Sequence, residues 1–134
     1  MSNLALMEVQ RALYNKLNGD GVLMGMISGI YDVVPQKTIF PYIVIGDGNC
    51  SDIATDILNI SDLRLGIEIW SGTSGRKAAL TIMNRLFAML HLGTLTLSGY
   101  QLVLLRCEQS DTQLTEEATY IRGTMVVRAT VVEE

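Results

Sequence analysis

The chain has 134 residues, 49% of them hydrophobic and only 18% charged, with a formal net charge of −4. That length suits one domain whose core needs no disulfide or structural metal, and a charged fraction below the roughly 25% of average globular domains favours an oligomer that hides surface. The acidic balance, with a pI of about 4.9, excludes affinity built on gripping phosphate backbones, while still allowing a wall past which DNA slides.

Residues 3–17 place Leu6, Val9, Leu13 and Leu17 on one helical face with Tyr14 beside them, and predict a helix that Ser2 or Asn3 caps and NGDG (Asn18–Gly21) ends. Gly21–Gly29 is ambiguous: Asp20 can cap a single helical turn through Val22, Leu23 and Met26, but the glycines weaken it. IYDVVPQKTIFPYIVIGDG (Ile30–Gly48) is tightly specified. Pro35 and Pro41 fix their own φ and bias Val34 and Phe40 toward extended backbone. A crossing segment pinned by Tyr31 and Val34 thus enters the first strand, PYIVIG, in few directions. Asp47–Asn59 is polar with Ile53, Ile57 and Leu58 scattered through it, and reads as a long loop or the outer part of an extended hairpin.

In SDLRLGIEIW, Leu63, Leu65, Ile67 and Ile69 alternate with Arg64, Gly66, Glu68 and Trp70, which predicts a strand. SGTSG (Ser71–Gly75) supplies a turn, and Arg76–Leu92 reads as a helix with a polar stripe of only Lys77, Thr81, Asn84 and Arg85. So thin a stripe implies cover on more than one side. His91 suits the helix C-terminus, and Gly93 suits the left-handed position beyond it. A strand follows over Tyr100–Gln109, then a polar loop over 110–119, then a last strand over Tyr120–Val132. The last strand has Ile121, Met125, Val127, Ala129 and Val131 on one face and Tyr120, Arg122, Thr124, Arg128 and Thr130 on the other. The order helix, two strands, helix, two strands predicts an α+β two-layer sandwich: a four-stranded mixed or antiparallel sheet with helices on one face.

Reactive groups are scarce. His91 is the sole histidine, with no partner to orient it as a base and no companions for a metal. Cys50 and Cys107 read as reduced thiols, since the opening MSNLALMEVQR holds Glu8 and Gln10 where a signal peptide needs an apolar core. No uncharged apolar run approaches the roughly 18 residues of a membrane span. EIWSGTSGRKAA outlines a phosphate loop, but Gly72 and Gly75 enclose too few residues, Arg76 intrudes before Lys77, and Ala78 replaces the metal-binding hydroxyl. Asp47, Asp52, Asp56 and Asp62 lack the alternation and closing glutamate of a calcium loop. No catalytic residue, cofactor or metal site is expected. Cys107 reads as a small core residue, Trp70 as a core-edge residue or interface anchor, and the seven methionines as core filling or a repackable surface.

GIYDVVPQKTIFPYIVIGD, then IEIWS, then GRKAALTIMNRLFAMLH, then LTLSGYQLVLLRCE and a long last strand occur here in that order. Over roughly Leu4–Val132 the set resembles the tail completion family of long-tailed phages, prophages and gene transfer agents. Its most characteristic block is Ile30, Tyr31, Asp32, Val34, Pro35, Gln36, Phe40, Pro41 and Tyr42. The resemblance implies a structural virion protein, not an enzyme, with a fold like the lambda tail terminator. It implies a single domain over 1–134 that forms a homo-hexameric ring, terminates the tail tube and joins tail to head while DNA passes through without specific binding. Tail-tube and head-completion or connector proteins would be the partners, with no membrane, and assembly in the bacterial host cytoplasm would place the product at the head–tail junction of the virion. A head-closure adaptor of the same particle, a dimeric adaptor without a ring, and a small nucleotide-binding enzyme built on Ser71–Lys77 are the alternatives. The expected interface residues are Asp47, Asp52, Ile53, Asp56, Ile57, Leu58 and Trp70. The face carrying Arg64, Glu68, Arg106, Glu108 and Arg128 is the candidate channel lining.

Overall fold

The computed structural model describes residues 4–54, 59–72, 76–115 and 120–134. Helix α1 (Ala5–Asn18) and the single turn α2 (Gly21–Met24) precede strands β1 (Ile30–Tyr31), β2 (Tyr42–Ala54) and β3 (Asn59–Ser71). Helix α3 (Lys77–Leu90) and strands β4 (Tyr100–Leu114) and β5 (Ile121–Glu133) complete the chain. The sheet has five strands in the order β1-β2-β3-β5-β4. Only the β1–β2 pair is parallel.

The two-layer α+β reading holds, with one addition. The expected four strands are joined by β1, whose two residues pair with Ile43 and Val44. Its brevity explains why the sequence hid it: two residues cannot display an alternation. Pro41 stands just before β2, after a cis Phe40–Pro41 peptide.

Alternation in the strands sets the layers. Leu63, Leu65, Ile67 and Ile69 of β3 face Ala129, Val127, Met125 and Gly123 of β5. Together with Ile43, Ile45 and Leu105 they meet Val9, Leu13 and Leu17 of α1 and Ala79, Ile82, Met83, Leu86 and Leu90 of α3 in one buried cluster. Gly123 has a packing role, since a Cβ there would lie 2.7 Å from Met83 Sδ. On α1 the core stripe is Ala5, Glu8, Val9, Ala12, Leu13 and Leu17. Leu6 is only partly buried and Tyr14 is exposed, so the expected stripe is rotated by about one residue.

Polar ties fix the helices. Glu8, almost fully buried, accepts two hydrogen bonds from Arg11 and one from the Ser98 N–H at 2.6 Å. Those donors, Arg11 first, hold its carboxyl below the usual range against the opposing effect of burial. Lys16 Nζ donates to Thr94 O at 2.6 Å. The segment leading into β4 is therefore pinned to α1 at two points. Asp20 caps α2 as expected, accepting from the Leu23 N–H at 2.9 Å.

The end of α3 departs from expectation. The residue with positive φ is Leu92 (58°), not Gly93. Leu92 N–H donates to Leu105 O at 2.7 Å, and Cys107 N–H donates to His91 Nδ1 at 3.2 Å. The turn out of the helix is thus shaped by docking onto β4, and that docking outweighs the usual preference for glycine.

Candidate functional site

With all three helices on one side of the sheet, the other side is open. Its side chains form two groups along the strands. Toward one end, Asp62, Arg64, Glu108 and Arg128 make a closed ionic network. Arg64 is directly across from Arg128, a pairing that repels unless anions intervene. They do. Arg64 Nε and Nη2 donate to Glu108 at 3.0 and 3.3 Å, and Arg128 Nε donates to Asp62 Oδ1 at 2.9 Å. Arg128 Nη1 also lies 3.7 Å from Glu108. Thr130 Oγ1 donates to Asp62 at 3.0 Å. Arg128 above all, aided by Thr130, keeps the Asp62 carboxyl below its ordinary range although burial opposes this. The face nominated as a channel lining is therefore largely neutralised from within.

Toward the other end lies an aromatic cluster. Tyr42 stacks on Phe40 at 5.5 Å and on Trp70 at 6.4 Å, while Tyr120 stands 5.0 Å from Trp70 and 5.8 Å from Phe40. Tyr31 meets Tyr42 edge-on at 6.0 Å, and the Arg122 guanidinium lies 5.8 Å from the Trp70 ring centre. Sequence reasoning singled out Trp70 but missed the cluster. The rings come from four separate segments, and only the register, Tyr42 opposite Trp70 and Trp70 opposite Arg122, brings them together. Between the two groups Gly46 and Gly66 leave a notch of about 340 Å³ bordered by Asp32, Asp47 and Glu68. Among the described residues no set of three or more His, Cys, Asp or Glu side chains could hold a metal ion.

The expected interface residues are not one patch. Asp47, Asp52 and Ile53 lie on the outer half of β2, while Asp56, Ile57 and Leu58 fall outside the described residues. Trp70 sits at the opposite end of the sheet. Ile60 pairs with Val132 at one end and Ser71 with Ile121 at the other, so the β2–β3 and β4–β5 hairpins turn at opposite ends. The strands also run further than the sequence reading placed them. β2 continues through Ala54, which favours the extended hairpin over the long loop, and β4 continues through Leu114 into the stretch expected to be a polar loop.

Apolar side chains remain exposed on both flanks. On the β4 flank they are Leu80, Phe87, Leu92, Val103 and Leu114; on the other, Leu4, Met7 and Tyr14 of α1 stand out. Beside α1 runs a groove of about 480 Å³ lined by Met7, Arg11, Tyr14, Ile30, Tyr31 and Ile45. His91 stacks on Phe87 at 4.5 Å and serves β4 as an acceptor, a structural role. Cys107 is half-buried against the core, with its thiol pushed up by burial, and Cys50 is exposed.

A one-sided sheet whose open face carries paired charges, flanked by unlike apolar edges, has the architecture of a structural assembly protein. The chain belongs to the tail completion protein gp17 family, whose model matches residues 11–132. It is thus a structural component of the virion tail of a phage or phage-like particle, and not an enzyme; the nucleotide-binding alternative falls with this. The fold is similar to a chain in the virion of a native gene transfer agent particle, with TM-score 0.88, 24% identity, and 98% of this chain and 99% of that one covered. It is also similar to the gp17 protein of bacteriophage SPP1, with TM-score 0.67, 22% identity, and 96% and 91% covered. No curated protein sequence matches the chain.

Proposed function

We propose that this single-domain chain assembles head to tail into a six-membered ring that completes the tail tube and joins it to the head, with DNA passing through the centre. The observation that carries the reading is the unlikeness of the two flanks. Leu80, Phe87 and Leu92 protrude beside β4, whereas Met7 and Tyr14 line a groove on the β1 flank. Unlike surfaces on opposite sides of one subunit suit a heterologous contact, which closes into a ring when the rotation allows. The open face, with Arg64, Glu68, Arg106, Glu108 and Arg128, lines the channel in this reading. Its internal ion pairs engage Arg64 and Arg128 and leave Arg106 without an ionic partner among the described residues, too little positive charge to hold a passing polyanion.

The β2–β3 hairpin reaches the adjoining ring, tail tube or head connector, with Asp47, Asp52 and Ile53 on its described arm. The reading gives Asp56, Ile57 and Leu58 the same task, and makes Trp70 with its aromatic neighbours a second contact at the opposite end. Electron microscopy of the purified protein tests the ring. Six-fold annular particles are expected, and uniform dimers would overturn the reading. Deleting residues 52–57 is expected to leave the fold intact and abolish joining of heads to tails.

A further inference from the structure

Edge strands expose unpaired backbone N–H and C=O groups, and proteins normally cover them. This sheet covers each of its edges in part. On β2, the short β1 pairs only with Ile43 and Val44, while Ile43 N–H donates to Gly29 O at 3.1 Å and Ser28 N–H to Pro41 O at 2.8 Å. From Gly46 to Ala54 the outer side of β2 has no bonded neighbour among the described residues. On β4, the end of α3 covers the stretch around Leu105 and Cys107 through Leu92 and His91. From Gln109 to Leu114 its outer side has no bonded neighbour among the described residues. A shorter stretch, Gln101–Leu104, also has no bonded outer neighbour among the described residues. The longest open stretch on each edge is Gly46–Ala54 on β2 and Gln109–Leu114 on β4, and these two are diagonally opposed.

We infer that the open edge of β4, Gln109–Leu114, pairs with the open edge of β2, Gly46–Ala54, of a second copy of this chain, making the sheet continuous from subunit to subunit. The inference rests on the ring proposed above and names its contact. Three features support it. First, polarity: β2, β3, β5 and β4 are successively antiparallel, so β2 and β4 run in opposite directions. Copies related by rotation about an axis that runs alongside the sheet then bring β4 against the next β2 in antiparallel register.

Second, stagger. Cys50, central in the β2 stretch, shares a row with Leu63 and Ala129, while Asp111 of the β4 stretch shares a row with Thr124 and Glu68. Leu63 to Glu68 along β3 is roughly 17 Å at about 3.4 Å per residue. The sideways repeat of four long strands is roughly 19 Å at about 4.8 Å per strand. Those two lengths require a strand tilt of about 40°, within the roughly 35–45° at which sheets close on themselves. Third, register: the covered stretches of both edges block sliding toward full overlap of the two strands, and sliding the other way removes paired residues. The pairing also brings Leu114 and the exposed apolar edge of α3 toward the flank bearing the α1 groove.

Cys50 provides the test. Its side chain is exposed and lies on the helix side of β2, because its partner Leu63 is buried there. On β4 the helix side is Ser110, Thr112 and Leu114, opposite Met125, Gly123 and Ile121, while Gln109, Asp111 and Gln113 lie on the open side. In a Cys107→Ser background Cys50 is the only natural thiol. Single substitutions Ser110→Cys, Thr112→Cys and Leu114→Cys are compared, under mild oxidation, with Gln109→Cys, Asp111→Cys and Gln113→Cys.

Antiparallel neighbours on one face are close enough for a disulfide. The expected result is a disulfide ladder up to six copies from one or more helix-side positions, none from the open-side positions, and its loss on Cys50→Ser. A ladder without closed rings in the microscope supports the edge pairing and overturns the six-membered ring. Closed rings with no cross-link at any helix-side position overturn the edge pairing and leave the ring standing. Cross-linking with equal yield from both sides, or monomers without cross-links, overturns the pairing.

Discussion

Asp20 and Arg85, 65 residues apart, form a two-pronged ion pair, with Nε 2.9 Å from Oδ2 and Nη2 2.6 Å from Oδ1. The same carboxylate caps α2 through the Leu23 N–H, so one side chain fastens the loop after α1 to the flank of α3. Arg85 first, and the Leu23 N–H second, depress the Asp20 pKa from 3.8 to about 2. A folded-state pKa below the unfolded one adds stability above the unfolded value and loses it as pH falls through the folded value. Asp20→Asn keeps a good cap but removes the charge. Its melting temperature is expected to lie below that of the parent near neutral pH, and the two are expected to converge as pH falls from 3.8 toward about 2. Melting curves recorded across that range check this; a constant gap would refute it.

The core and the outer face of α3 make opposite predictions. Leu86 is 0% exposed and Leu80 is 50% exposed. Leu86→Ala is expected to cost about 2–5 kcal/mol in urea unfolding, the range for a buried leucine that leaves a cavity. Leu80→Ala should stay within about 0.5 kcal/mol as a monomer, and instead weaken assembly measured by sedimentation.

Leu92 holds a left-handed backbone conformation, φ 58°, with its side chain 69% exposed. A branched residue there costs roughly 1–2 kcal/mol, while asparagine adopts the region readily. Leu92→Asn is therefore expected to stabilise the folded chain by about 0.5–1 kcal/mol, part of the backbone gain. Denaturant unfolding of the monomer reads this directly.

His91 must present an unprotonated Nδ1 to accept the Cys107 N–H, which places its proton on Nε2. Nitrogen-15 spectra of the imidazole are expected to show that tautomer. His91→Phe keeps the stack on Phe87 but leaves the Cys107 N–H without its acceptor, at a cost of about 1 kcal/mol.

Much of the fold was legible because burial writes itself into alternation. Leu63–Ile69 and Ile121–Val131 are apolar on alternate residues because helices cover one face only. The same logic explains the stretches that were misjudged. Helix α1 reaches the outer part of β2 only at Gly48, and the residues of Asp47–Ile53 and Ser110–Leu114 are largely exposed on both faces, so a strand there has no apolar rhythm and looks like a loop. The site was less legible than the fold. Neither the aromatic cluster nor the Asp62–Arg64–Glu108–Arg128 network exists in any one segment, and both need the cross-strand register. The covering of the sheet edges by β1 and by the end of α3 was also hidden, because it depends on backbone groups common to every residue.

The three long ladders differ in continuity. β2 against β3 slips at Ile45–Gly48, and β4 against β5 slips at Leu102–Leu104 and Cys107–Gln109, but β3 against β5 is unbroken from Ile60 to Ser71. A tensile load along the strands would therefore be borne by the central seam, where the bonds lie across the pull and must rupture together. The bulged outer ladders have softer points at which they can twist. The subunit is mechanically a stiff spine with two compliant margins, and the compliance lies where one subunit would have to adapt its curvature to the next.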